Sequence, residues 1–253
     1  DACSSSALRG CLSNPAKYRH KALTGLSGDS IDFGSAVHAI ACGKFAEECA
    51  VWDGRRDERQ EKYRDFLAAN AGKTILKPQQ EVDAQVAWAI LQEAVAQTPE
   101  ADHILTGDQE VSLFWWEDVV LGDGSQHRIP CKARADVLNA DRRYLTDLKT
   151  AKDASAYGFS KAAKTWRHLP GYDVQAAWYM RGCERVIDER ARWSFYFAVV
   201  ENSAPWCAAC YVIDENYLID TVYDLMMLGL KTWAECWTTK VWPGYDRQLN
   251  WIA

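Results

Sequence analysis

Apolar residues recur every three or four positions through most of the first hundred residues, a spacing that predicts amphipathic helices. SSSALRGCL opens with serines able to cap such a helix, Asn14-Pro15 starts a second through KYRHKAL, and Asp32 stands where it can cap FGSAVHAIACGKF. DERQEKYRDFLAAN and QQEVDAQVAWAILQEAVAQ continue the period. At Gln109 the pattern changes. EVSLFWWE, RIPCKARADVLN and RRYLTDLKT are strand-like runs separated by the turn-rich pieces LGDGSQH and NAD, as in an antiparallel meander. Helical spacing returns in ASAYGFSKAAKTW and YDVQAAWYMRGC. RWSFYFAVV and WCAACYVID supply two more strands, and ENYLIDTVYDLMMLGLKTWAECW reads as one long closing helix. No Gly/Ser/Pro-rich linker divides this order, so the expectation is a single mixed α/β domain over residues 1–253. Its parts are a mainly helical region (1–100), a sheet region with inserted helices (109–213), and a C-terminal helix and tail (214–253).

Composition narrows the class. An apolar share of 48% with 12 Trp in 253 residues is ample for a core, and no apolar run approaches a membrane span. The opening DACSSSALRG lacks the basic and apolar regions of a secretory signal, and nine Cys form no regular framework. Reduced thiols in a cytoplasm are the expectation, with no membrane partner. A formal net charge of −6 argues against a polyanionic ligand, but the average conceals an asymmetry. Residues 128–167 hold ten basic and four acidic side chains, a balance of +6, whereas the remainder holds 19 and 31, or −12. A basic centre in an acidic body suits a polyanion held in an enclosed groove. A solvated charged face without a ligand is the plainer alternative.

The chemistry concentrates in YLTDLKTAKD. On a strand, Asp147 and Lys149 share a face while Leu148 points to the other. Asp-x-Lys alone carries little information, but Asp136 lies eleven residues upstream on the preceding predicted strand. If the two strands are antiparallel neighbours joined by the turn NADRR, the carboxylates converge at one end of the sheet. Two such groups repel unless a cation lies between them, and hard oxygen ligands select Mg²⁺, with Mn²⁺ as a substitute, over zinc. Such an ion would engage a phosphate oxygen and make hydroxide available near neutral pH, with Lys149 holding the attacking water or balancing the developing charge. That is the chemistry of phosphodiester hydrolysis.

Asp136, a strand turn, then Asp147-Leu148-Lys149 resembles the core signature of the PD-(D/E)XK nuclease superfamily. SSSALRGCLSNPAKYRH, DFGSAVHAI, EVSLFW, YDVQAAWYMRG, APWCAACYVID and WPGY occur in an order similar to its exodeoxyribonuclease VIII (RecE-like) branch. The resemblance spans Ser4 to about Tyr245 and rests on the order of weakly specific pieces. It implies a restriction-endonuclease-like core, a central mixed sheet flanked by helices. By position it implies metal ligation by His38, Asp136, Asp147 and the Leu148 backbone carbonyl, with Lys149 as the catalytic lysine. Glu110 matches the acid of the first strand, with Glu81 and Glu117 as competitors. Gln175 and Tyr179, one turn apart on one helical face, match a motif that lies beside the site and contacts DNA.

The resemblance further implies a Mg²⁺-dependent exonuclease acting 5′-to-3′ on double-stranded DNA ends, a ring-shaped homo-oligomer, and a single-strand annealing protein as partner in phage or bacterial recombination. An endonuclease on the same scaffold and a DNA-binding module without catalysis are the rivals. Lys161, Lys164 and Arg167, at three-residue spacing after the active strand, are expected on one helix face as phosphate contacts. Some members of the superfamily carry an iron–sulfur cluster; here Asn14 stands where its first Cys would be. Cys207 and Cys210, at i and i+3 of an expected strand, point to opposite faces and read as core, so no cluster is expected. Trp115 and Trp116 are adjacent on a strand, so one is buried and the other faces a helix or a ligand.

Overall fold

Ser4 accepts a hydrogen bond from the Ala7 amide and starts α1 (Ser5–Ser13), and the Asn14 side chain accepts from Lys17 N–H to start α2 (Pro15–Thr24). A computed structural model describes residues 2–25, 28–165 and 169–245. Then come α3 (Asp29–Ala41), α4 (Phe45–Glu48), β1 (Cys49–Val51), α5 (Glu61–Ala69), β2 (Thr74–Leu76) and α6 (Pro78–Ala96). The sheet region follows as β3 (Asp108–Val120), β4 (Gln126–Asn139) and β5 (Tyr144–Ala151). After α7 (Ala156–Ala163) and α8 (Asp173–Val186) come β6 (Ser194–Glu201) and β7 (Ala208–Val212). The last helical stretch comprises α9 (Glu215–Tyr217), a π-helical segment Leu218–Val222 and α10 (Tyr223–Thr239).

The central sheet has the order β3-β4-β5-β6-β7 and is mixed: every pair is antiparallel except β5 with β6. That parallel pair requires a crossover, which α7 and α8 provide. Helices cover both faces, and β6 shows why. Phe195, Phe197 and Val199 point into a core shared with α1, α8 and α10, while Ala198 and Val200 point into a second core with α3 and α6. The first core is built on large rings and aliphatics, among them Trp178, Trp233, Leu8 and Met226; the second on Val37, Leu76, Leu91 and Ile104.

Several elements differ from the sequence pattern. The third helix begins at Asp29 with Gly28 at its cap, so Asp32 lies inside it rather than capping it. β1 and β2 pair in parallel as a separate two-stranded sheet, too short at three residues each to show a period. The closing helix is not uniform, because its apolar spacing runs through a π-helical segment that periodicity does not distinguish from α-helix. α7 stops at Ala163, and Lys164 is extended. There Gly171 packs so closely that a side chain on it would meet the Ala163 carbonyl at 2.5 Å, and Asp173 takes the Thr165 amide and hydroxyl. Lys161 and Lys164 therefore do not share a helix face, and Arg167 lies outside the described residues. Cys207 is exposed in the turn before β7, not in the core, while Cys210 is half-buried against the α3–α6 side. No helix among the described residues is long and apolar enough to cross a membrane.

The seam between α8 and β3 is tight. An added Cβ on Gly182 would stand 2.9 Å from the Trp115 ring, which is itself wedged against Trp178 and tied through its indole N–H to Glu117. Gly182→Ala gains helix propensity but forces that ring to move, and overpacking wins. A net loss of about 1–2 kcal/mol in urea unfolding is expected; an unchanged midpoint would show that the seam can relax.

Candidate active site

Strand register brings three acids into line. On the β3–β4 ladder, Gln109 pairs with Val137 and Val111 with Ala135, which sets Glu110 across from Asp136. On β4–β5 the ladder runs Asn139 to Tyr144, Leu138 to Leu145 and Val137 to Thr146, then stops. One further step of that register sets Asp136 across from Asp147. The strands part at this point, and the Asp136 carboxylate enters the gap, where its Oδ2 accepts the Leu148 backbone N–H at 2.7 Å. A side chain thus takes over a bond that the ladder no longer supplies. Glu110 departs from strand geometry as well, with φ of 53°, an uncommon value for a residue with a side chain.

Each acid has its own partners. Asp136 Oδ1 lies 2.9 Å from His38 Nε2 on α3, and His38 Nδ1 lies 3.8 Å from Cys42 Sγ. Asp147 Oδ1 accepts from the Gln175 amide of α8, and Lys149 Nζ stands against Asp147 Oδ2. The Lys149 amine also lies 4.8 Å from the centre of the Tyr172 ring. Glu110 is held by Lys44 on one oxygen and Arg134 on the other. An open cleft of about 310 Å³ leads to this centre past Ser30, Gly34, His38, Lys149 and Tyr172.

Each acid faces a cationic group, yet the buried Asp147 carboxylate is not fully satisfied. Burial pushes the Asp147 carboxyl up to about 6; the Lys149 amine holds it down, while the Asp136 charge pushes it further up. Its Oδ2 is buried and has no partner in hydrogen-bonding geometry, although the Lys149 amine is adjacent. His38 is raised from the ordinary histidine range, first by its hydrogen bond to Asp136 and against the opposing effect of burial. An under-satisfied buried carboxylate beside a second carboxylate and an imidazole fits a divalent cation, which would remove both the repulsion and the orphaned oxygen. His38, Cys42 and Glu110 also place ligand atoms within 4.8 Å of one another. The thiolate donor there is softer than Mg²⁺ prefers, so Asp136, Asp147 and His38 are the better match to a hard ion.

The sequence-predicted residues fall into two groups. His38, Glu110, Asp136, Asp147, Lys149 and Gln175 are brought together. Glu117 is instead clamped by two arginines in the core, and Glu81 lies in the first turn of α6. Tyr179 is near: its hydroxyl meets Ser5 and Gln175, and burial pushes its ionisation upward. Gln175 is buried and spends its amide on Asp147. Lys161 stacks 3.9 Å above Tyr157 and Lys164 lies 5.7 Å from Tyr217, both at the exposed end of α7. The sequence reading missed Lys44, Cys42, Arg134 and Arg9. Arg9 lies 4.6 Å over the Tyr172 ring with its Nε buried and unpartnered; burial lowers its pKa, while nearby Tyr172, Asp173 and Asp147 pull the other way. Cys42 and Lys44 follow His38 closely enough that a hydrogen-bonded helix end could have flagged them; Arg9 carries no local signal.

With this geometry in place, residues 4–252 match the family model described as "PDDEXK-like domain of unknown function (DUF3799)". The chain belongs to the PDDEXK-like family. Its five-stranded mixed sheet with helices on both faces is the family's nuclease-like fold. Among solved structures, a crystal structure described as "Putative exonuclease" from Eubacterium rectale is similar over 100% of this chain and 90% of its own, at 13% identity with a TM-score of 0.60. That likeness is one of fold. SSO0001 is similar over 88% of this chain and 84% of its own, at 11% identity and a TM-score of 0.30, and carries no argument. None of the curated proteins matches the chain.

Proposed function

We propose that this PDDEXK-like protein is a metal-dependent deoxyribonuclease that hydrolyses duplex DNA from its ends. The observation that carries the reading is the meeting of Asp136, Asp147 and Lys149 where β4 and β5 part. Asp136, Asp147 and His38 would hold Mg²⁺ or Mn²⁺, with Glu110 and the Leu148 carbonyl as further candidates. When bound, the ion supplies Lewis acidity to the phosphate and a hydroxide at neutral pH. Gln175 keeps the Asp147 carboxylate turned toward the gap, and His38 does the same for Asp136. Lys149 can orient the attacking water and offset charge gathering on the phosphoryl oxygens. Asp136 and Asp147 hold no role as proton carriers in this scheme.

Exonuclease polarity 5′-to-3′, a ring of identical subunits around DNA, a single-strand annealing partner in recombination, and action in the cytoplasm of a bacterial or phage-infected cell complete the proposal. The order of motifs supports these, and the name of the Eubacterium rectale protein supports the exonuclease reading alone. Lys161 and Lys164 stay in it as outer phosphate contacts.

The test uses a duplex labelled at each 5′ end in turn, beside a closed circle of the same sequence. With Mg²⁺, mononucleotides should appear from the linear DNA only, and chelation with EDTA should stop their release. Cutting of the circle would assign an endonuclease. Binding of duplex without cleavage in Mg²⁺ or Mn²⁺ would assign a binding module.

A further inference from the structure

β3 and β4 extend well past the point where β5 leaves, and one face of this outer ribbon is uncovered. Alternation places Leu113, Trp115, Glu117 and Val119 inward and Ser112, Phe114, Trp116, Asp118 and Val120 outward. Phe114 is 67% exposed and Trp116 53%. Their cross-strand partners on the same face are Lys132 for Phe114 and Pro130 for Trp116, flanked by Arg134 opposite Ser112 and Arg128 opposite Asp118. The Arg128 guanidinium lies 5.5 Å from the Trp116 ring centre. The row begins at the candidate active site, because Arg134 is bound to Glu110 there.

Two large exposed rings on a soluble surface need an explanation, since interior packing does not use them. The three basic groups around them supply part of it. In a protein of net charge −6, Arg128, Lys132 and Arg134 outnumber the acids beside them, Asp118 across from Arg128 and Glu110 bound to Arg134, and a two-fold contact of this face with itself would set like charges together, so the patch complements a polyanion better. Two rings at roughly 7 Å spacing on β3, with a row of cations beside them on β4, match a chain that carries flat bases along one side and phosphates along the other. A duplex hides its base faces and could use only the cations. An unpaired strand can use both.

We infer that the outer face of the β3–β4 ribbon is a track for single-stranded nucleic acid, with Phe114 and Trp116 stacking on bases and Arg128, Lys132 and Arg134 meeting phosphates. That the strand on this track leads to the catalytic row rests on the nuclease reading; the binding itself does not. A nuclease that degrades one strand of a duplex generates an unpaired strand, and the track would hold it beside the centre.

The test is fluorescence anisotropy of a labelled dT20 oligonucleotide and a 20-base-pair blunt duplex with the full chain in EDTA, where no divalent ion supports cleavage. The double variant Phe114→Ala/Trp116→Ala should bind dT20 about 30-fold more weakly or worse, with the duplex changed by less than about threefold. Trp116→Phe should recover most of the loss that Trp116→Ala causes, because it restores a ring. A dT20 with abasic sites should bind wild-type protein as weakly as dT20 binds the double variant. Lys132→Ala should lower the salt slope for dT20 by about 0.7. Unchanged dT20 affinity in the double variant overturns the inference, as does an equal loss on duplex. Unchanged dT20 affinity with a lower mass in light scattering would assign the face to contact between copies instead. If no DNA is cut in Mg²⁺ yet dT20 binding depends on the rings, the nuclease reading fails and the track stands; cleavage with ring-independent binding gives the reverse.

Discussion

Replacing Lys149 with alanine is expected to lower metal-dependent cleavage of linear duplex DNA by about 10³-fold while leaving the metal bound. The amine has two opposed effects on a divalent ion. It repels the ion directly, and it holds the buried Asp147 carboxyl down, keeping it ionised as a ligand. Removing it raises that carboxyl further from its already elevated value of about 6. With the ion bound, its own charge keeps the Asp147 carboxylate ionised, and the lost repulsion offsets the lost support, so the ion binds about as well as before. Asp147→Asn differs, because it removes an oxygen ligand and a charge together, so both cleavage and metal affinity fall. The measurements are single-turnover cleavage and titration calorimetry with Mn²⁺ on the same preparations. A Lys149→Ala protein that cuts at the wild-type rate would move the charge-balancing role to another cation, with Arg9 and Lys44 as candidates.

The part of this centre that the sequence discloses is the part made by neighbouring strands. Asp136 and Asp147 are separated by one turn, so strand alternation alone predicts that they meet, and the residue between Asp147 and Lys149 necessarily points away. The contributions of α3 and α8 rest on contacts about 100 and 30 residues away in the chain, and only the likeness to a family pointed to His38 and Gln175. Glu110 shows the limit from another direction. Three glutamates competed for one place, and burial pattern could not rank them, because Glu117 lies on the same strand at an inward position that an apolar residue would normally take. What separates them is the partner set: two cations and a neighbouring aspartate for Glu110, two arginines of α8 for Glu117. The fold was legible wherever period was long enough to measure, and illegible in the three-residue β1 and β2 and in the early end of α7, where a glycine contact and Asp173 decide the chain's course.

Glu117→Ala is expected to cost about 3 kcal/mol of folding stability, because it breaks a buried ion pair by removing one partner. The carboxylate is 3% exposed on the inward face of β3 and receives the Arg181 Nε at 2.8 Å, the Arg185 Nη2 at 3.3 Å and the Trp115 indole N–H at 3.1 Å. Burial alone would raise it, but the two guanidinium groups outweigh burial and hold it below the ordinary carboxylate range. Without the anion, two cations one turn apart on α8 are left together in the α8–β3 seam and the indole donor is orphaned. Glu117→Gln keeps the shape and some hydrogen bonds, so its loss should be smaller. Because the folded value is depressed, the native charge contributes fully above the unfolded carboxylate value of about 4.3 and is lost as pH falls through the folded value. The gap in urea midpoint between wild type and Glu117→Gln should therefore be widest near neutral pH and narrow below about pH 4. The same variant separates structure from chemistry: folded Glu117→Gln should still cleave DNA, and a folded but inactive protein would give Glu117, not Glu110, the place of the first-strand acid.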